Sequence, residues 1–294
     1  MRWLVTGAGG MLGHDMVDEL LRRGEDVTGL DRTALDITRA EAVEGAFAEH
    51  RPDIVVNCAA YTAVDDAEND EERALRINGD GPRLLARAAA ERSARLVHIS
   101  TDYVFSGDTR TTPYPEDHPP APRTAYGRTK LAGEQAVLRE LPGAGVVVRT
   151  AWLYGAHGRS FVRTMTELEA RRDTVDVVDD QRGQPTWSAD VAERIADLGP
   201  RVGRDASGVL HATSSGEASW YELAREVFAH LGADPDRVRP VSSAAFPRPA
   251  PRPAYSALAH GRWQRLGLPP LRDWRTALHE AIPRIRKESL RETP

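Results

Sequence analysis

The sequence predicts an α/β protein: a doubly wound parallel sheet with a smaller C-terminal lobe. In the first half of the chain, short apolar or β-branched runs alternate with amphipathic stretches of helical period. This alternation is typical of a parallel sheet that helices cover on both faces. After about residue 155 the regularity weakens. We therefore expect residues 1–150 to form the sheet domain, joined by some later segments, and residues 151–294 to form mainly the lobe.

The predicted elements follow in order along the first half. The strands are Trp3–Thr6, Asp26–Leu30, Ile54–Cys58, Arg95–Ser100 and Val146–Thr150, and the helices are Met11–Arg22, Arg39–Glu49, Arg83–Glu91 and one that begins near Tyr126. Residues 107–125 are rich in Pro, Thr and Asp and are expected to form a loop, and Pro247–Pro253 an extended surface segment. Because such sheets bind ligands beyond the carboxyl ends of their strands, the residues at those ends are the candidate site.

Composition excludes several classes of protein. The 294 residues carry a net charge of −5, which argues against nucleic-acid binding. No apolar run approaches the roughly 18 residues of a membrane span, and the early strand at Trp3 leaves no room for a signal peptide. The one cysteine, Cys58, fits a reducing cytoplasm and is expected to be a small buried strand residue. We expect a cytoplasmic protein and leave open whether it forms a homodimer.

A glycine-rich turn links the first predicted strand to the first predicted helix. Its Gly7, Gly10 and Gly13 are spaced three residues apart. Glycine permits a tight turn and lets the backbone approach a pyrophosphate, whose charge the N–H groups at the helix start attract. The turn predicts a Rossmann-like dinucleotide site; a glycine-rich turn without a ligand is the alternative. The binding residues expected here are Gly7, Gly9, Gly10, Met11, Leu12 and Gly13.

Residues at the end of the second predicted strand bear on the choice of cofactor. Asp31 stands where an acid binds the adenine ribose hydroxyls, which favours NAD. Arg32 follows directly and could pair with the 2′-phosphate of NADP, so NADH and NADPH both stay open. Asp36 and Ile37 could flank the adenine, although Asp36 or Thr38 could equally cap a helix.

The third predicted strand ends in small residues. Ala59 and Ala60, followed by Tyr61, would let a cofactor lie close to the backbone. This is a further part of the predicted cofactor site.

Tyr126 and Lys130 are four residues apart, so a helix places both side chains on one face. A free tyrosine has a pKa of about 10. A lysine ammonium one turn away favours the phenolate and lowers that pKa, which makes tyrosine a workable general acid. The same lysine can hold the nicotinamide ribose. Only two of the 39 basic residues are lysines, so a lysine at this position departs from the arginine that the chain otherwise uses.

The fourth predicted strand ends in hydroxyl residues. Thr101, or Ser100, could hydrogen-bond a substrate carbonyl and stabilise the developing alkoxide. Hydroxyls that merely cap the end of the strand are the alternative.

These motifs resemble the dTDP-4-dehydrorhamnose reductase family of the extended short-chain dehydrogenase/reductase superfamily. The resemblance runs over nearly the whole chain. It is carried by Thr6–Gly13, Asn57–Asp65, Ser100–Phe105, Tyr126–Glu134, Arg149–Gly155, Asp180–Thr186 and Arg252–Leu258. It implies NAD(P)H-dependent reduction of the C4 ketone of dTDP-4-dehydro-L-rhamnose to dTDP-L-rhamnose, with residues 1–150 binding the dinucleotide and the lobe binding the substrate.

The resemblance also implies residue roles. Tyr126 protonates the C4 oxygen, Lys130 tunes Tyr126 and binds the ribose, and Thr101 contacts the reacting oxygen. The residues expected near the substrate are Thr101, Asp102, Tyr103, Trp152 and Arg252. Arg252 could meet the diphosphate, but it could equally be a solvated arginine in a Pro-rich loop.

Two departures from the family pattern matter. Trp187 is an unusually bulky residue that we expect near the substrate lobe, where it would alter which sugar fits. Asp15 matches a position linked to metal in some members, where a glutamate is usual. We explain it as a surface carboxylate in a first helical turn and assign no metal.

Three other functions stay open at this point. A 4-ketoreductase for another dTDP-deoxysugar, for example in antibiotic biosynthesis, would share the same chemistry. A sugar-nucleotide epimerase or dehydratase would use the same fold with tightly held NAD. A regulatory subunit of methionine adenosyltransferase is a non-catalytic alternative, against which the intact Tyr126, Lys130 and Thr101 argue.

Overall fold

The computed structural model describes residues 1–107 and 111–292. Part of the loop predicted at 107–125, residues 108–110, lies outside the described residues. The described strands, in chain order, are β1 (Arg2–Thr6), β2 (Asp26–Leu30), β3 (Ile54–Asn57), β4 (Arg95–Thr101), β5 (Gly145–Thr150), β6 (Leu153–Tyr154), β7 (Val175–Val178), β8 (Arg182–Gly183), β9 (Thr186–Trp187), β10 (Gly208–His211), β11 (Ser214–Ser215), β12 (Ala218–Ser219), β13 (Val238–Val241) and β14 (Leu271–Asp273).

Most of the described helices connect one strand to the next. In chain order they are α1 (Met11–Arg22), α2 (Ala40–His50), α3 (Val64–Ala67), α4 (Glu71–Leu75), α5 (Gly81–Glu91), α6 (Ala125–Glu140), α7 (Phe161–Glu169), α8 (Ser188–Leu198), α9 (Trp220–His230), α10 (Gly261–Arg265) and α11 (Trp274–Glu292). A π-helical turn at Arg76–Asp80 joins α4 to α5, and short 3₁₀ turns lie at Asp102–Val104, Gly199–Arg201, Pro235–Arg237 and Ser243–Ala245. No helix in the described part of the chain is long and apolar enough to cross a membrane.

Six strands form one parallel sheet in the order β10-β5-β4-β3-β1-β2. Successive side chains of a strand point to opposite faces, so Trp3 and Val5 pack under α1 and α8 while Leu4 packs under α2, α5 and α6. The predicted doubly wound α/β class is confirmed. The strand order reverses at β1, so the ligand crevice is expected at the carboxyl ends around β1.

The second half of the chain contributes to the sheet as well as to the lobe. β10 is the edge strand beside β5, and α8 packs on α1. The lobe has an apolar core of its own, built from α7, α9, α11 and the short parallel β7–β13 ribbon. A division of the chain near residue 150 stays a prediction.

Candidate functional site

Two glycines of the turn after β1 are required by close packing. Gly7 has φ +68°, and a Cβ there would come within 2.6 Å of the Ala59 nitrogen. A Cβ on Gly13 would overlap the Gly7 carbonyl oxygen. The nearest atom to a Cβ on Gly9 would be Asp31 Cβ, at 3.4 Å. Gly7 and Gly13 therefore hold the turn against the end of β3 and the start of α1, whereas Gly9 has room.

The start of α1 has the features of an anion site. Gly10 is the N-cap residue, no side chain caps the helix, and the first turn holds no acidic residue. The first N–H groups of a helix have no partner within it, and the helix dipole makes this end positive. The residues present therefore fit the pyrophosphate of a dinucleotide.

Two cavities meet over this helix start. The distal cavity, of about 650 Å³, lies at the ends of β1, β2 and β3, and the central cavity, of about 480 Å³, lies at the ends of β4 and β5. The structure brings every predicted cofactor residue to one or both of them. Gly7, Gly9, Gly10, Asp31, Arg32, Asp36, Ile37, Ala59, Ala60 and Tyr61 line the distal cavity, and Gly10, Met11, Leu12, Gly13, Tyr126 and Lys130 line the central cavity.

Cys58 lines both cavities. β3 ends at Asn57, and the Cys58 side chain is half-buried. The predicted strand is therefore one residue too long: Cys58 follows β3, is partly buried against the core and also faces the cleft.

The distal cavity contains carboxylates that are already hydrogen-bonded to nearby residues. Asp31 Oδ1 accepts hydrogen bonds from the Thr33 nitrogen and hydroxyl at 2.8 and 2.7 Å, which hold the pKa of that carboxyl below its usual value. Asp36 Oδ1 accepts the corresponding pair from Thr38, at 3.0 and 2.7 Å. Because α2 begins only at Ala40, the alternative helix-cap role for Asp36 or Thr38 was wrong.

Three arginines line the same cavity: the predicted Arg32, Arg73 from α4, and Arg76 from the π-helical turn that follows α4. Arg73 lies 5.7 Å from the centre of the Tyr61 ring. Sequence reasoning missed Arg73 and Arg76, because arginine is the default cation of this chain and nothing marks these two.

The central cavity brings together the predicted reacting groups Thr101, Tyr126 and Lys130. The half-buried phenol of Tyr126 lies against Thr101, whose hydroxyl donates a hydrogen bond to Asp102 Oδ1 at 3.0 Å. Thr101 also accepts a hydrogen bond from the Tyr103 nitrogen at 3.2 Å, so it caps the turn after β4 as well. Ser100, the alternative to Thr101, donates to Glu134 at 2.5 Å and is directed to the interior.

Burial decides the proton affinity of Tyr126. It raises the pKa of the phenol to about 12; the Asp102 charge acts in the same direction and the Thr101 hydrogen bond opposes both. The sequence led us to expect that Lys130 lowers this pKa. The structure shows the opposite direction, because burial outweighs the other influences on this pKa; the Lys130 amine donates to the Ile99 carbonyl at 2.6 Å.

Lys130 is only 2% exposed. Burial lowers the pKa of its amine to about 8, against the opposing influence of the Glu134 charge. A lysine with this pKa exchanges protons readily near neutral pH.

Two polar atoms of the central cavity lack partners among the described residues. They are Asp102 Oδ2 and Thr150 Oγ1, and both residues line the cavity. Burial also raises the pKa of the Asp102 carboxyl to about 6. Because buried polar atoms in proteins are nearly always hydrogen-bonded, these two suit a polar ligand such as a sugar. Thr150 was missed, although its position at the end of β5 obeys the rule that identified Thr101.

The outer cavity, of about 840 Å³, opens from the central one toward the lobe and shares Tyr103 and Trp152 with it. The rings of Trp152 and Trp220 stack with centres 3.6 Å apart. Trp152 has φ +48°, a strained backbone for a bulky residue. Gly183 makes room for the ring, since a Cβ there would lie 2.6 Å from Trp152 Cε2. Trp220 was missed because only the folded lobe brings it here.

Arg252 lines the outer cavity but is not solvated. Its guanidinium donates to both carboxylate oxygens of Asp65, at 2.9 and 2.7 Å, and to the Ala250 carbonyl at 2.8 Å. Ala250 in turn donates its backbone N–H to Asp65 at 3.2 Å. The reading of Arg252 as a solvated arginine was therefore wrong. We call this contact the Asp65–Arg252 clamp; it ties the Pro-rich segment of the lobe to the sheet side of the cleft.

Two further expectations are corrected. Trp187 is 2% exposed in the lobe core, with the Arg272 and Arg284 guanidinium groups 5.2 and 4.8 Å from its ring. It cannot shape the sugar site, because β9 turns it away from the cleft. Asp15 lies beyond the first turn of α1, half-buried and hydrogen-bonded to Ser188, so it is not a first-turn surface carboxylate.

The chain is similar to known proteins over its full length. Residues 1–287 match the family model described as RmlD substrate binding domain. A probable dTDP-4,6-dihydroxy-2-methyloxan-3-one 4-ketoreductase of Streptomyces antibioticus is 63% identical over 97% of this chain and 96% of that protein. A dTDP-4-dehydrorhamnose reductase of Streptomyces griseus is 56% identical over 100% and 97%.

A solved structure shows the same similarity. The crystal structure of a dTDP-4-dehydrorhamnose reductase from Bacillus anthracis in complex with NADP superposes with a TM-score of 0.91, at 39% identity, over 96% of this chain and 98% of that one. Sequence, fold and the arrangement of the cleft lead to one conclusion. The chain belongs to the dTDP-4-dehydrorhamnose reductase family.

Proposed function

We propose that this protein reduces the C4 ketone of dTDP-4-dehydro-L-rhamnose to the alcohol of dTDP-L-rhamnose, using NADPH or NADH. The observation that carries the proposal is the meeting of Thr101, Tyr126 and Lys130 in one cavity that adjoins the uncapped start of α1. The name of the 56% identical relative from Streptomyces griseus supports the choice of substrate.

The nicotinamide cofactor supplies the hydride that adds to C4 of the sugar. Side chains of the protein supply the proton that the C4 oxygen needs. As the carbonyl double bond becomes a single bond, the Tyr126 phenol donates its proton to the C4 oxygen, while the Thr101 hydroxyl holds that oxygen in place. A phenol whose pKa is raised to about 12 is protonated at neutral pH and is still more acidic than the alcohol it creates. Lys130, whose pKa is about 8, then supplies the proton that restores the Tyr126 phenol.

The binding residues divide between the cavities. The turn residues Gly7, Gly9, Gly10, Met11, Leu12 and Gly13 hold the cofactor pyrophosphate, and Asp31 and Arg32 meet its adenine ribose. Three arginines in the distal cavity favour NADPH, because they can pair with a 2′-phosphate.

The substrate lies toward the lobe. Asp102 and Tyr103 contact the sugar from the sheet side and Trp152 contacts it from the lobe side, since the central and outer cavities meet there. Arg252 reaches the diphosphate only by sharing or leaving its bond with Asp65.

A second candidate substrate is another dTDP-4-keto-6-deoxysugar. The observation that favours it is the 63% identity to the probable 4-ketoreductase of Streptomyces antibioticus. The proton chemistry would be unchanged, and only the contacts of the sugar ring would differ.

The test mixes the purified protein with NADPH or NADH and enzymatically prepared dTDP-4-dehydro-L-rhamnose. We expect one molecule of NADPH or NADH to be oxidised, followed by its absorbance, for each molecule of dTDP-L-rhamnose formed. A second dTDP-4-keto-6-deoxysugar in a parallel reaction compares the two candidates by kcat/KM. Conversion of the sugar without cofactor consumption would indicate an epimerase or dehydratase, and no conversion of either sugar would reject the proposal.

A further inference from the structure

A chain of buried polar side chains runs from the glycine-rich turn to Lys130. Thr6, Asn57 and His98 are fully buried on β1, β3 and β4, and Lys130 on α6 is 2% exposed. Thr6 Oγ1 and Asn57 Oδ1 are 2.7 Å apart, Asn57 Nδ2 and His98 Nδ1 are 3.0 Å apart, and His98 Nε2 and Lys130 Nζ are 3.4 Å apart. Of these four side chains, the reaction proposed above uses only Lys130.

A backbone N–H group fixes the direction of the hydrogen bonds that join these side chains. The Ala59 N–H, which can only donate, donates to Asn57 Oδ1 at 3.2 Å. Oδ1 is therefore the amide oxygen, and Nδ2 carries the hydrogens that point at His98 Nδ1. Nδ1 must then accept, which leaves it without a proton. Since burial holds the pKa of His98 well below its usual value, the ring is neutral and carries its single proton on Nε2.

The Nε2–H of His98 points at the nitrogen of Lys130. A neutral amine can accept this hydrogen bond with its lone pair and still donate to the Ile99 carbonyl. An ammonium has donors only, so it would set N–H against N–H. The amine form completes the chain, and the ammonium form must turn away from His98.

Other titratable groups around Lys130 do not reverse this preference. Cys58 faces it from the end of β3, and burial raises the pKa of that thiol to about 12, so the thiol is neutral. Glu134 faces it from the next turn of α6, but Arg149 pairs with both oxygens of Glu134 at 2.9 and 2.7 Å. Tyr126, one turn before Lys130, is protonated at neutral pH.

We propose that His98 is a positioning residue that weakens the hold of Lys130 on its proton by presenting Nε2–H to the lysine nitrogen. When Lys130 is a neutral amine it is docked on His98, and when it gains a proton, as it does below about pH 8, it is released toward the cleft. The consequence for turnover rests on the proposed function. The charge state of Lys130 does not, and it is measured without substrate.

The two-lysine composition makes the charge state directly observable. Protein labelled with ¹³C at lysine Cε gives two signals, Lys130 and the exposed Lys287, and a Lys287→Arg variant assigns them. We expect the Lys130 signal to titrate near pH 8. In His98→Met the midpoint should rise by about one pH unit, since one hydrogen bond to the amine is lost.

Thr6→Val is the matched control. It breaks the chain at its far end but leaves the Ala59 N–H on Asn57 Oδ1, so the direction of the chain and the Lys130 midpoint should stay the same. An ordinary Lys130 midpoint near 10 in the unmodified protein, or the same midpoint in His98→Met, would overturn the proposal.

A second measurement needs no variant. Long-range ¹H–¹⁵N spectra of the unmodified protein report which nitrogen of His98 carries the proton, with assignment through the backbone. A neutral Nε2–H ring between pH 6 and 9 is expected, and a proton on Nδ1 would overturn the proposal. If the reduction assay fails while both spectra agree, the proposed function is wrong and the role of His98 in setting the lysine charge stands.

Discussion

The two sides of the cleft are built in different ways. On the sheet side, Thr101, Tyr126 and Lys130 come from β4 and α6, which are neighbouring elements, and backbone groups fix two of them: the Tyr103 N–H on Thr101 and the Ile99 carbonyl on Lys130. On the lobe side, Trp152 and Trp220 are half-buried, come from separate segments and are held by stacking on each other.

This difference assigns separate tasks to the two sides. A reacting group must be held to within a fraction of an ångström, which buried backbone contacts achieve. A pocket that receives a nucleotide sugar needs size and polarity, which side-chain pairs and a Pro-rich segment supply. We therefore expect substitutions on the sheet side to change kcat or stability, and substitutions on the lobe side to change KM.

Tyr126→Phe carries the largest expected effect. It removes the proton donor without changing the ring, so kcat should fall by about 10² to 10⁴-fold. Cofactor binding, followed by quenching of tryptophan fluorescence, should stay the same. Tyr103→Phe is the control, because its ring packs edge-on against Tyr126 with centres 5.6 Å apart. Equal losses in the two variants would remove the distinction between these phenols.

Lys130→Met should stabilise the protein at neutral pH. The folded-state pKa of Lys130 is about 8, below the roughly 10.4 of an unfolded lysine, so the folded protein binds fewer protons between these values. The penalty for burying the charge is full below pH 8 and vanishes above about pH 10.4. The free energy of unfolding should rise by about 2 kcal/mol at pH 7, after allowing for the lost hydrogen bond to Ile99.

Urea unfolding of both proteins at pH 7 and pH 10 checks this sign. The advantage of Lys130→Met should shrink at the higher pH. A difference that is independent of pH would mean that the lysine is not held at a lowered pKa.

Asp65→Asn tests the lobe side, because Asp65 lies on the sheet side of the cleft but holds the Pro-rich segment of the lobe through Arg252. Loss of the Asp65–Arg252 clamp frees the Pro-rich wall of the outer cavity, so KM for the nucleotide sugar should rise about tenfold, or ~1.4 kcal/mol, with kcat little changed. Arg248→Ala is the control, since Arg248 is 61% exposed and 4.0 Å from Asp65. Steady-state kinetics separate the two parameters. A fall in kcat at constant KM would contradict the division of tasks.

Arg32→Ala should have the smallest effect. Arg32 is exposed at the distal cavity, and exposed ion pairs are worth about 0.2–1 kcal/mol, so KM for NADPH should rise about threefold. NADH has no 2′-phosphate and serves as the internal control. Equal changes for both cofactors would show that Arg32 does not read the phosphate.

The sheet side could be predicted from sequence because its signals are local. The five predicted strands match the observed ones to within a residue at each end, since buried parallel strands are continuous apolar runs. Gly7, Gly13, Thr101, Tyr126 and Lys130 occupy fixed offsets from those strands and from α6. The rule that ligands lie at the carboxyl ends of strands was sufficient to place them in one cleft.

The rest required the folded chain. The pKa of Tyr126 depends on burial, and the contact of the Lys130 amine with the Ile99 carbonyl depends on the folded chain; the spacing of the two residues predicts neither. The partner of Arg252 is 187 residues away, and the Trp152–Trp220 stack joins segments that no pattern connects. The position of Trp187 followed from the path of β9 into the lobe core.

Hydride is expected to reach C4 of a dTDP-4-keto-6-deoxysugar in the cavity of Thr101 and Tyr126. The most direct measurement supplies NADPH carrying deuterium at both positions of nicotinamide C4 and determines where the label goes by NMR of the sugar product. One deuterium at C4 of the sugar for each NADPH consumed is the predicted result. A product without deuterium at C4, or with label at another carbon, would contradict the account.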